Sequence, residues 1–474
     1  MTSRRLLALF AALLALALVG VGCGDDDDDG GGGGDEAAQE DGGGGGGDPI
    51  RVAMLSNCEG PFGSFFEPTA SGMNTALIKY AGARPAGERP TDGVEGAEVA
   101  GSPIEIVGYG CSDDTADKAI EETRRLMEQE DADILVGPLS GDEGIAVANY
   151  AKEHPDKTFI NGIAGAQDST LKVQADNFFR YHPDGAQWSA GLGDYAYNEL
   201  GWRRAAIIGD DYSFPYTSLA GFVAEFCAIG GEITDRIWAP LGEKDYSSYI
   251  SQIPDDVDGL YVGIGGSGLI SFINQYEQQR GEVDTERMLG NVFWDDPLVL
   301  EEVGSKLIGG VTSAMTAADS DEAPVQEYIN ALRDAYGEEI AGAGPSVFTY
   351  GYYTATVALI KGLEEVGGDI SDQVPLQEAL AEVTLTGEEA PYGDVELDEN
   401  HQAISDVYLK EIVRDQNGDG VPDVQTFRRV PDVEQTFGGF FTPESPAPDR
   451  QNPRCEEGEP PPWVGNSEEV TFGS

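Results

Sequence analysis

The stretch Ala132-Asp133-Ile134-Leu135-Val136-Gly137-Pro138-Leu139-Ser140-Gly141 decides the fold of this chain. Its apolar run is too short for a helix and is typical of a strand that is buried on both faces. The run ends in Gly-Pro-Leu-Ser-Gly, and a helical pattern from Gly144 to Ala151 begins at once. A strand, a short polar turn and a helix N-terminus together can bind a small anion such as a carboxylate. A turn without a ligand is the alternative.

The composition favours an envelope protein with more than one domain. A chain of 474 residues exceeds what one core usually serves, and a hydrophobic content of 40% is enough for a globular protein. Asp and Glu number 86 against 28 Lys and Arg, which gives a formal net charge of -58. Such a charge repels nucleic acid and anionic lipid, so it argues against nucleic acid as a partner. Adaptation to salt is an alternative cause of the acidity.

Residues 1–22 resemble a bacterial lipoprotein signal peptide. The pair Arg4-Arg5 supplies the positive end, and Leu6 to Val19 form an apolar run that is short for a bilayer span. We therefore predict that Cys23 is lipidated and anchors the protein at the extracytoplasmic face of the cell membrane; ordinary secretion is the alternative. Residues 23–49 are almost wholly Gly, Asp, Glu, Ala and Gln, which predicts a disordered, self-repelling linker.

The remaining four cysteines fit an oxidising compartment. Cys58 and Cys111 each follow one of the first two predicted strands, and such strands are commonly neighbours in a sheet. A disulfide Cys58–Cys111 is therefore geometrically reasonable. Cys227 and Cys455 are then left as a second pair, Cys227–Cys455, which would tie the C-terminal tail to the body. Four free thiols are the alternative, since sequence alone does not fix the connectivity.

Strands and helices alternate in two consecutive series from Ile50 onward. The predicted strands begin at Ile50, Ile104, Ile134 and Thr158 in the first series and at Arg204, Glu232, Gly259 and Arg287 in the second. This alternation predicts an α/β fold with doubly wound parallel sheets and with ligands at the carboxyl ends of the strands. Two series of the same type predict two similar lobes with a ligand cleft between them.

The predicted lobes are each built from two parts of the chain. We assign residues 50–179 and 311–388 to lobe 1, and residues 180–310 and 389–440 to lobe 2. Residues 441–474 are rich in Pro, Glu and Asn and form a C-terminal tail that we expect to pack as an extended strap.

The whole pattern resembles the leucine/isoleucine/valine-type solute-binding proteins of ABC importers, which have the type I periplasmic-binding fold. The resemblance covers about residues 50–413. It rests on Gly60-Pro61, Val136-Gly137-Pro138-Leu139-Ser140, Phe178 and Arg180 with Gln187, Ile207-Ile208-Gly209-Asp210, and the helix with Tyr350 and Ala355. It implies a small ligand, usually an amino acid, on which the two lobes close, and an ABC permease as partner. We expect a monomer.

The resemblance also implies which residues of the first lobe touch the ligand. Ser140, with Gly141 after it, holds the ligand carboxylate, and the backbone at Ala164-Gly165-Ala166 adds to this contact. The physical reason is that a carboxylate needs N–H and O–H donors, which helix N-termini supply best.

The second lobe would hold the rest of the ligand. Phe214 matches an aromatic residue of the family, and Tyr212 and Trp294 could add apolar walls. Asp295 or Asp296, after the predicted strand Arg287–Phe293, would receive the ligand ammonium, because an unpaired buried charge is costly. Core packing or a surface patch is the alternative role for the three aromatic residues.

A catalytic role is not expected. The chain has three histidines, His154, His182 and His401, and they show neither a metal-ligand spacing nor a partner motif. It has no nucleophile elbow, no phosphate loop and no paired metal cysteines. We expect no cofactor apart from one metal ion.

That ion is calcium, which we predict at Asp415, Asn417, Asp419 and Asp423. Oxygen-bearing residues at alternate positions before a glycine turn resemble the first half of an EF-hand-type loop. The closing glutamate is absent, because Thr426 stands at the twelfth position. A solvated turn between two strands is the alternative.

Three functions fit the sequence. The first is a lipid-anchored receptor that delivers a small polar ligand to an ABC permease. The second is a sensor of the same fold that signals to a membrane kinase or regulator. The third is a cell-surface interaction protein whose cleft binds no ligand.

Overall fold

The apolar run at Ile134 forms a buried strand inside a parallel sheet, as the sequence predicts. The computed structural model describes residues 48–342 and 345–472. The predicted signal peptide, the predicted lipidation site Cys23 and nearly all of the predicted linker lie outside the described residues. Within the described ranges, no helix is long and apolar enough to cross a membrane.

Strands and helices alternate through most of the described chain. The strands are β1 (Ile50–Asn57), β2 (Arg84–Pro85), β3 (Val94–Glu95), β4 (Glu98–Val99), β5 (Ser102–Ser112), β6 (Ile134–Val136), β7 (Thr158–Ile160), β8 (Phe178–Phe179), β9 (Arg204–Asp210), β10 (Glu232–Ala239), β11 (Gly259–Gly263), β12 (Met288–Gly290), β13 (Val311–Ala314), β14 (Glu396–Leu397), β15 (Ala403–Val413), β16 (Asp423–Val433) and β17 (Glu468–Glu469). The α-helices are α1 (Phe66–Tyr80), α2 (Ala116–Arg124), α3 (Gly141–Glu153), α4 (Asp168–Leu171), α5 (Gly185–Trp188), α6 (Leu192–Asn198), α7 (Ser213–Ala228), α8 (Ser247–Ile250), α9 (Gly266–Arg280), α10 (Pro297–Val303), α11 (Ala323–Gly342), α12 (Val347–Glu365) and α13 (Gln373–Glu382).

The first lobe is built on a six-stranded sheet with the order β4-β5-β1-β6-β7-β8. Its neighbours are parallel except for β4 and β5. Helix α12 returns to this lobe and packs on α1, where the missing side chain of Gly72 lets the backbone at Thr349 come close. The prediction that two separate parts of the chain build this lobe agrees with that packing.

The second lobe is built on a nine-stranded sheet with the order β10-β9-β11-β12-β13-β15-β16-β17, and β14 pairs beside β15. The strands from β10 to β13 are parallel, and the remaining pairs are antiparallel. The doubly wound parallel pattern therefore continues into an antiparallel extension. The two parallel sheets point their strand ends, and the loops after them, toward one cleft.

Three predicted boundaries are wrong in detail. We assigned residues 311–388 to lobe 1, but β13 pairs with β12 and β15 in the second sheet. The sequence from Gly185 to Leu200 predicts a single helix, but the structure has two short helices there, α5 and α6, because Gly191 between them has a φ of +86°. The strand predicted over residues 287–293 ends at Gly290, and a 3-10 helix follows from Val292 to Asp295.

Both predicted disulfides are present. β1 lies parallel to β5 and pairs Ser56 with Cys111, which brings Cys58 to a Cα–Cα distance of 5.2 Å from Cys111. Cys227 of α7 and Cys455 are also joined, with a Cα–Cα distance of 5.2 Å. This second bond ties the tail to the second lobe.

The tail packs as the extended strap that the sequence suggests. Trp463 is buried in the second lobe and donates its indole N–H to Glu225 Oε1 at 2.6 Å. Strand β17 pairs with β16 at the edge of the second sheet. The tail therefore completes the second lobe.

Candidate functional site

A closed cleft lies where loops from the two sheets meet. Six aromatic side chains line it: Phe62, Trp188, Tyr212, Phe214, Phe293 and Phe348. Its other lining residues are Leu139, Ser140, Gly141, Ile163, Gly165 and Val292. The cavity that remains has a volume of about 20 Å³, which is room for a water molecule but not for an organic ligand. A ligand therefore enters only when the lobes separate.

The aromatic side chains meet across the cleft. Phe62, in the turn after β1, stacks on Phe293 of the second lobe with a centroid distance of 5.4 Å and an interplanar angle of 8°. The ring of Phe293 also packs on the ring of Phe348 in α12, with a centroid distance of 5.4 Å. Phe214 meets Phe293 and Trp188 edge to face, at 5.9 and 5.6 Å. These contacts hold the lobes together through apolar surface.

The turn after β6 gives the cleft its main polar group. Ser140 is the N-cap of the 13-residue helix α3, yet its side chain makes no capping hydrogen bond. The Ser140 hydroxyl is 2% exposed and has no partner among the described residues. A buried hydroxyl at a helix N-terminus without an acceptor is suited to an anion that arrives with a ligand.

The same turn touches the second lobe directly. A Cβ atom on Gly141 would lie 2.6 Å from Ser213 Oγ, so only glycine allows this approach. The backbone N–H of Ser213 donates to Asp142 Oδ1 at 3.2 Å. Closure of the lobes and completion of the polar site are therefore one movement.

Gly165 and its neighbours have different roles from those predicted. Gly165 lines the cleft, because a Cβ there would lie 2.8 Å from the Phe214 ring and 2.9 Å from the Trp188 ring. The carbonyl oxygens of Ala164 and Ala166 accept hydrogen bonds from Arg180 Nη1 at 3.0 and 2.7 Å. Those two carbonyl groups serve the buried Arg180, and neither alanine lines the cavity.

The structure does not bring Trp294, Asp295 and Asp296 to the cleft, contrary to our prediction. Trp294 is fully buried and packs where Gly290 and Gly310 leave space for its indole. Asp295 forms an ion pair with the buried Lys410. Asp296 is the N-cap of α10, where its carboxylate accepts the N–H of Leu298 at 3.0 Å.

The reason is the 3-10 helix after β12. Asn291 caps it by accepting the N–H of Phe293 at 3.2 Å, which ends the extended backbone early. Phe293 therefore faces the cleft, while the three residues after it turn back into the second lobe. Tyr212 and Phe214, by contrast, line the cleft as predicted.

Three buried carboxyl groups lie beside the cleft. Glu143 accepts hydrogen bonds from Asn57, Ser112 and the backbone N–H of Asp114 at 3.0–3.1 Å. Burial, with the neighbouring Asp114 carboxyl, raises the pKa of Glu143 to about 8. Burial raises the pKa of Asp114 to about 7, although a hydrogen bond from the backbone of Phe62 acts in the opposite direction.

Asp210 is the carboxyl that the second lobe brings to this region. It ends β9 and accepts the N–H of Gly265 at 3.0 Å. Burial is the main cause that raises its pKa to about 8, and the Asp114 carboxyl across the cleft adds to the shift. The closed cleft therefore favours protonated carboxyl groups on both sides.

Sequence reasoning missed several of these residues. Phe62 directly follows Gly60-Pro61, where the local sequence indicates only a turn, and Asp114 stands just before α2, where an acidic residue indicates only a helix start. Trp188 lies in a four-residue helix and carries no local signal. Its indole N–H is buried and has no partner in the part of the chain that the structure describes.

The predicted calcium loop forms the turn between β15 and β16. The Asp415 carboxylate accepts the N–H groups of Gly418 and Gly420 at 2.6 and 2.9 Å, and Asp419 accepts the N–H of Val421 at 2.8 Å. The side chains are exposed, and their oxygens already serve the turn. Calcium binding at this loop stays a prediction.

Comparison with known proteins places the chain among binding proteins. The sequence profile of a family described as periplasmic binding protein matches residues 49–419. The chain is similar to Leu/Ile/Val-binding protein homolog 6 of Brucella melitensis, with 20% identity over 391 residues that cover 81% of this chain and 93% of the relative.

Solved structures share the fold. An ABC transporter substrate-binding protein from Sphaerobacter thermophilus has 24% identity and a TM-score of 0.69, covering 82% of this chain and 99% of its own. A solute-binding protein of an ABC transporter from R. palustris, solved in complex with benzoate, has 23% identity and a TM-score of 0.67, covering 79% and 95%.

Proposed function

The chain belongs to the periplasmic binding protein family, and from this premise we propose that it is the extracytoplasmic solute-binding protein of an ABC importer. The observation that supports this best is the cleft, which both lobes line and which holds buried polar groups that have no partner among the described residues. Binding, and not catalysis, is the chemistry that such a site supports.

Lobe closure is the proposed mechanism. A ligand that touches both lobes holds them together around itself, in a closed state that is wider than the ligand-free cleft, and shifts the population toward that state. The contact between Ser213 and Asp142 forms only when the lobes meet, so it adds to the stability of the closed state. The permease would then recognise the closed form.

We propose that the ligand is a small molecule with a carboxylate. The Ser140 hydroxyl and the N-terminus of α3 favour an anion. The sequence alone suggested an amino acid, whose ammonium would pair with Asp295 or Asp296. Since both carboxylates lie elsewhere, the carboxylate is the part of that proposal that the geometry supports.

The proposed membrane attachment is separate from the cleft. Cys23 would carry lipid, and residues 23–49 would let the binding domain reach the permease. Membrane fractionation of the wild type and of Cys23→Ala tests this part. Equal behaviour of the two proteins would contradict the anchor.

A ligand screen tests the function itself. The full chain is scanned for thermal stabilisation against the common amino acids and against small aliphatic and aromatic acids. We expect at least one compound to raise the melting temperature and to reduce the radius of gyration in small-angle scattering. A screen in which no compound binds would contradict a solute-binding role.

A further inference from the structure

The aromatic side chains of the cleft form a place for a flat ring. Phe62 and Phe293 lie nearly parallel, and they belong to different lobes. When the lobes open, the two rings separate and each exposes one face. Rings prefer offset-stacked or edge-to-face neighbours, and Phe214 already contacts Phe293 edge to face, while Phe348 packs on it at a tilt of 35°. The closed cleft is therefore filled by the protein's own rings where a ligand ring would lie.

Two hydrogen-bond donors in the wall of the cleft lack an acceptor among the described residues. The Ser140 hydroxyl and the Trp188 indole N–H are both without a partner among the described residues, and their side chains belong to residues that are 2% and 4% exposed. An indole N–H is only a donor, so a ligand must bring the acceptor. Ser140 adds the N-terminus of α3, which favours negative charge.

The wall offers no counter-ion for an ammonium group. None of the described residues that line the cavity carries a charge. Asp114 and Asp210 lie outside this lining: a Cβ atom on Gly60 would stand 2.6 Å from Asp114 Oδ2, and Asp210 accepts the N–H of Gly265. Glu143 is occupied by Asn57 and Ser112. A zwitterion would therefore bury its ammonium without a partner, which is costly.

We propose that the ligand is an aryl carboxylate. Its ring lies between Phe62 and Phe293, and its carboxylate accepts hydrogen bonds from the Ser140 hydroxyl and the Trp188 indole. This inference rests on the proposed function and names the ligand class of the same cleft. Trp188 is then a specificity residue for the carboxylate of such a ligand.

Calorimetric titration of the full chain with five matched compounds tests the ligand class. Benzoate is the reference; cyclohexanecarboxylate removes the flat ring, benzamide removes the charge, phenylalanine adds an ammonium group, and leucine does so without a ring. We expect benzoate to bind at least tenfold more tightly than cyclohexanecarboxylate and benzamide, and at least a hundredfold more tightly than the two amino acids.

The outcomes separate this inference from the proposed function. Tighter binding of an amino acid than of benzoate would overturn the aryl carboxylate and leave the solute-binding role intact. Equal binding of benzoate and cyclohexanecarboxylate would also overturn it. No binding by any of the five compounds, or by the wider screen, would overturn both.

A pair of tryptophan variants tests the role of Trp188. Trp188→Phe keeps a ring and removes the N–H, and we expect it to weaken benzoate binding about tenfold, while the void left by the smaller ring lowers the melting temperature only modestly. Trp463→Phe is the matched control, because its N–H donates to Glu225 far from the cleft. It should lower the melting temperature and leave benzoate affinity unchanged.

Unchanged benzoate affinity in a folded Trp188→Phe protein would overturn the assignment of that residue. If Trp188→Phe does not fold, Ser140→Ala decides the matter, since it removes the other proposed donor. Unchanged affinity in Ser140→Ala would then overturn the carboxylate site.

Discussion

The turn after β6 in the first lobe and the turn after β12 in the second lobe both follow the carboxyl end of a parallel strand, but their polar side chains differ in whether the protein already binds them. In the first turn, Ser140 caps a helix without using its hydroxyl, which remains buried and free for a ligand. In the second, Asp295 pairs with Lys410, and Asp296 caps α10 through the N–H of Leu298. The hydroxyl of the turn after β6 can therefore still bind a ligand, whereas the carboxylates of the turn after β12 are already bound within the protein.

The difference teaches that position in the fold is not enough to identify a binding residue. A polar side chain at the carboxyl end of a parallel strand binds a ligand only if the protein leaves it without a partner. The second lobe contributes rings to the cleft instead, through Phe214 and Phe293.

Removal of the Asp295 carboxylate should have the largest effect, and on stability alone. Lys410 is 1% exposed and would lose its ion-pair partner. Breaking such a buried pair costs about 3–5 kcal/mol. Chemical denaturation of Asp295→Ala should show this loss, while titration with the best ligand should give an unchanged dissociation constant.

The control for this variant replaces both partners. Asp295→Leu combined with Lys410→Met removes the stranded charge and should recover most of the lost stability. A lower ligand affinity in Asp295→Ala at full stability would show that this carboxylate does reach the ligand, and the comparison of the two turns would fail.

Ser140→Ala should have the opposite signature. The variant removes a hydroxyl that has no partner within the described ranges, so the free protein should keep its stability. Ligand affinity should fall by about 1.5–3 kcal/mol, the range for a hydrogen bond to a charged group. Calorimetric titration measures the loss, and equal affinities in wild type and variant would contradict a ligand role for this turn.

These two turns also show how far the sequence could predict the site. Ser140 was predictable because its place depends on a short apolar strand and the helix directly after it. The second turn was not, because the Asn291 cap ends β12 at Gly290 and sends Phe293 to the cleft in place of its neighbours. The end of β12 depends on this one local hydrogen bond, which the pattern of apolar residues does not predict.

The fold itself was more predictable than the contacts. Two series of alternating strands and helices suffice to predict two lobes, and strand neighbours suffice for Cys58–Cys111. Trp188 could not be predicted, since its four-residue helix has no periodicity and its partners come from distant parts of the chain. Long-range packing, and not local pattern, places it in the cleft.

The buried carboxyl beside the first turn predicts a pH dependence. Burial raises the pKa of Asp114 from 3.8 to about 7. The folded protein therefore holds this proton at pH values where the unfolded chain has released it, so the free energy of unfolding falls as the pH rises from about 4 to about 7. One carboxyl gives up to about 1.4 kcal/mol per pH unit in this window, so roughly 2 kcal/mol between pH 5 and 7.

Asp114→Asn should remove the contribution of this carboxyl to the fall in the free energy of unfolding with rising pH. Denaturation of both proteins at pH 5 and at pH 7 measures the difference. Asp210 and Glu143 still contribute in the variant, but less than in the wild type, because the Asp114 carboxyl helps to raise the pKa of each. Parallel pH profiles for wild type and variant would show that Asp114 is not held protonated in the folded protein.

The turn between β15 and β16 extends the comparison to an exposed site and should give the smallest effect. Its carboxylates accept N–H groups of their own loop, yet each keeps lone pairs for an ion. We predict that calcium binds there with the weak affinity of extracellular modules, a dissociation constant of about 0.1–1 mM. At 1 mM calcium this stabilises the protein by about 0.4–1.4 kcal/mol. Asp419→Asn is the matched control, since the amide oxygen can still accept the N–H of Val421 while the charge is lost. Calcium should raise the melting temperature of the wild type more than that of the variant, with ligand affinity unchanged in both. Equal shifts in the two proteins, or no bound metal in a native mass spectrum, would show that the carboxylates of this turn, like Asp296, serve only the backbone N–H groups of the protein.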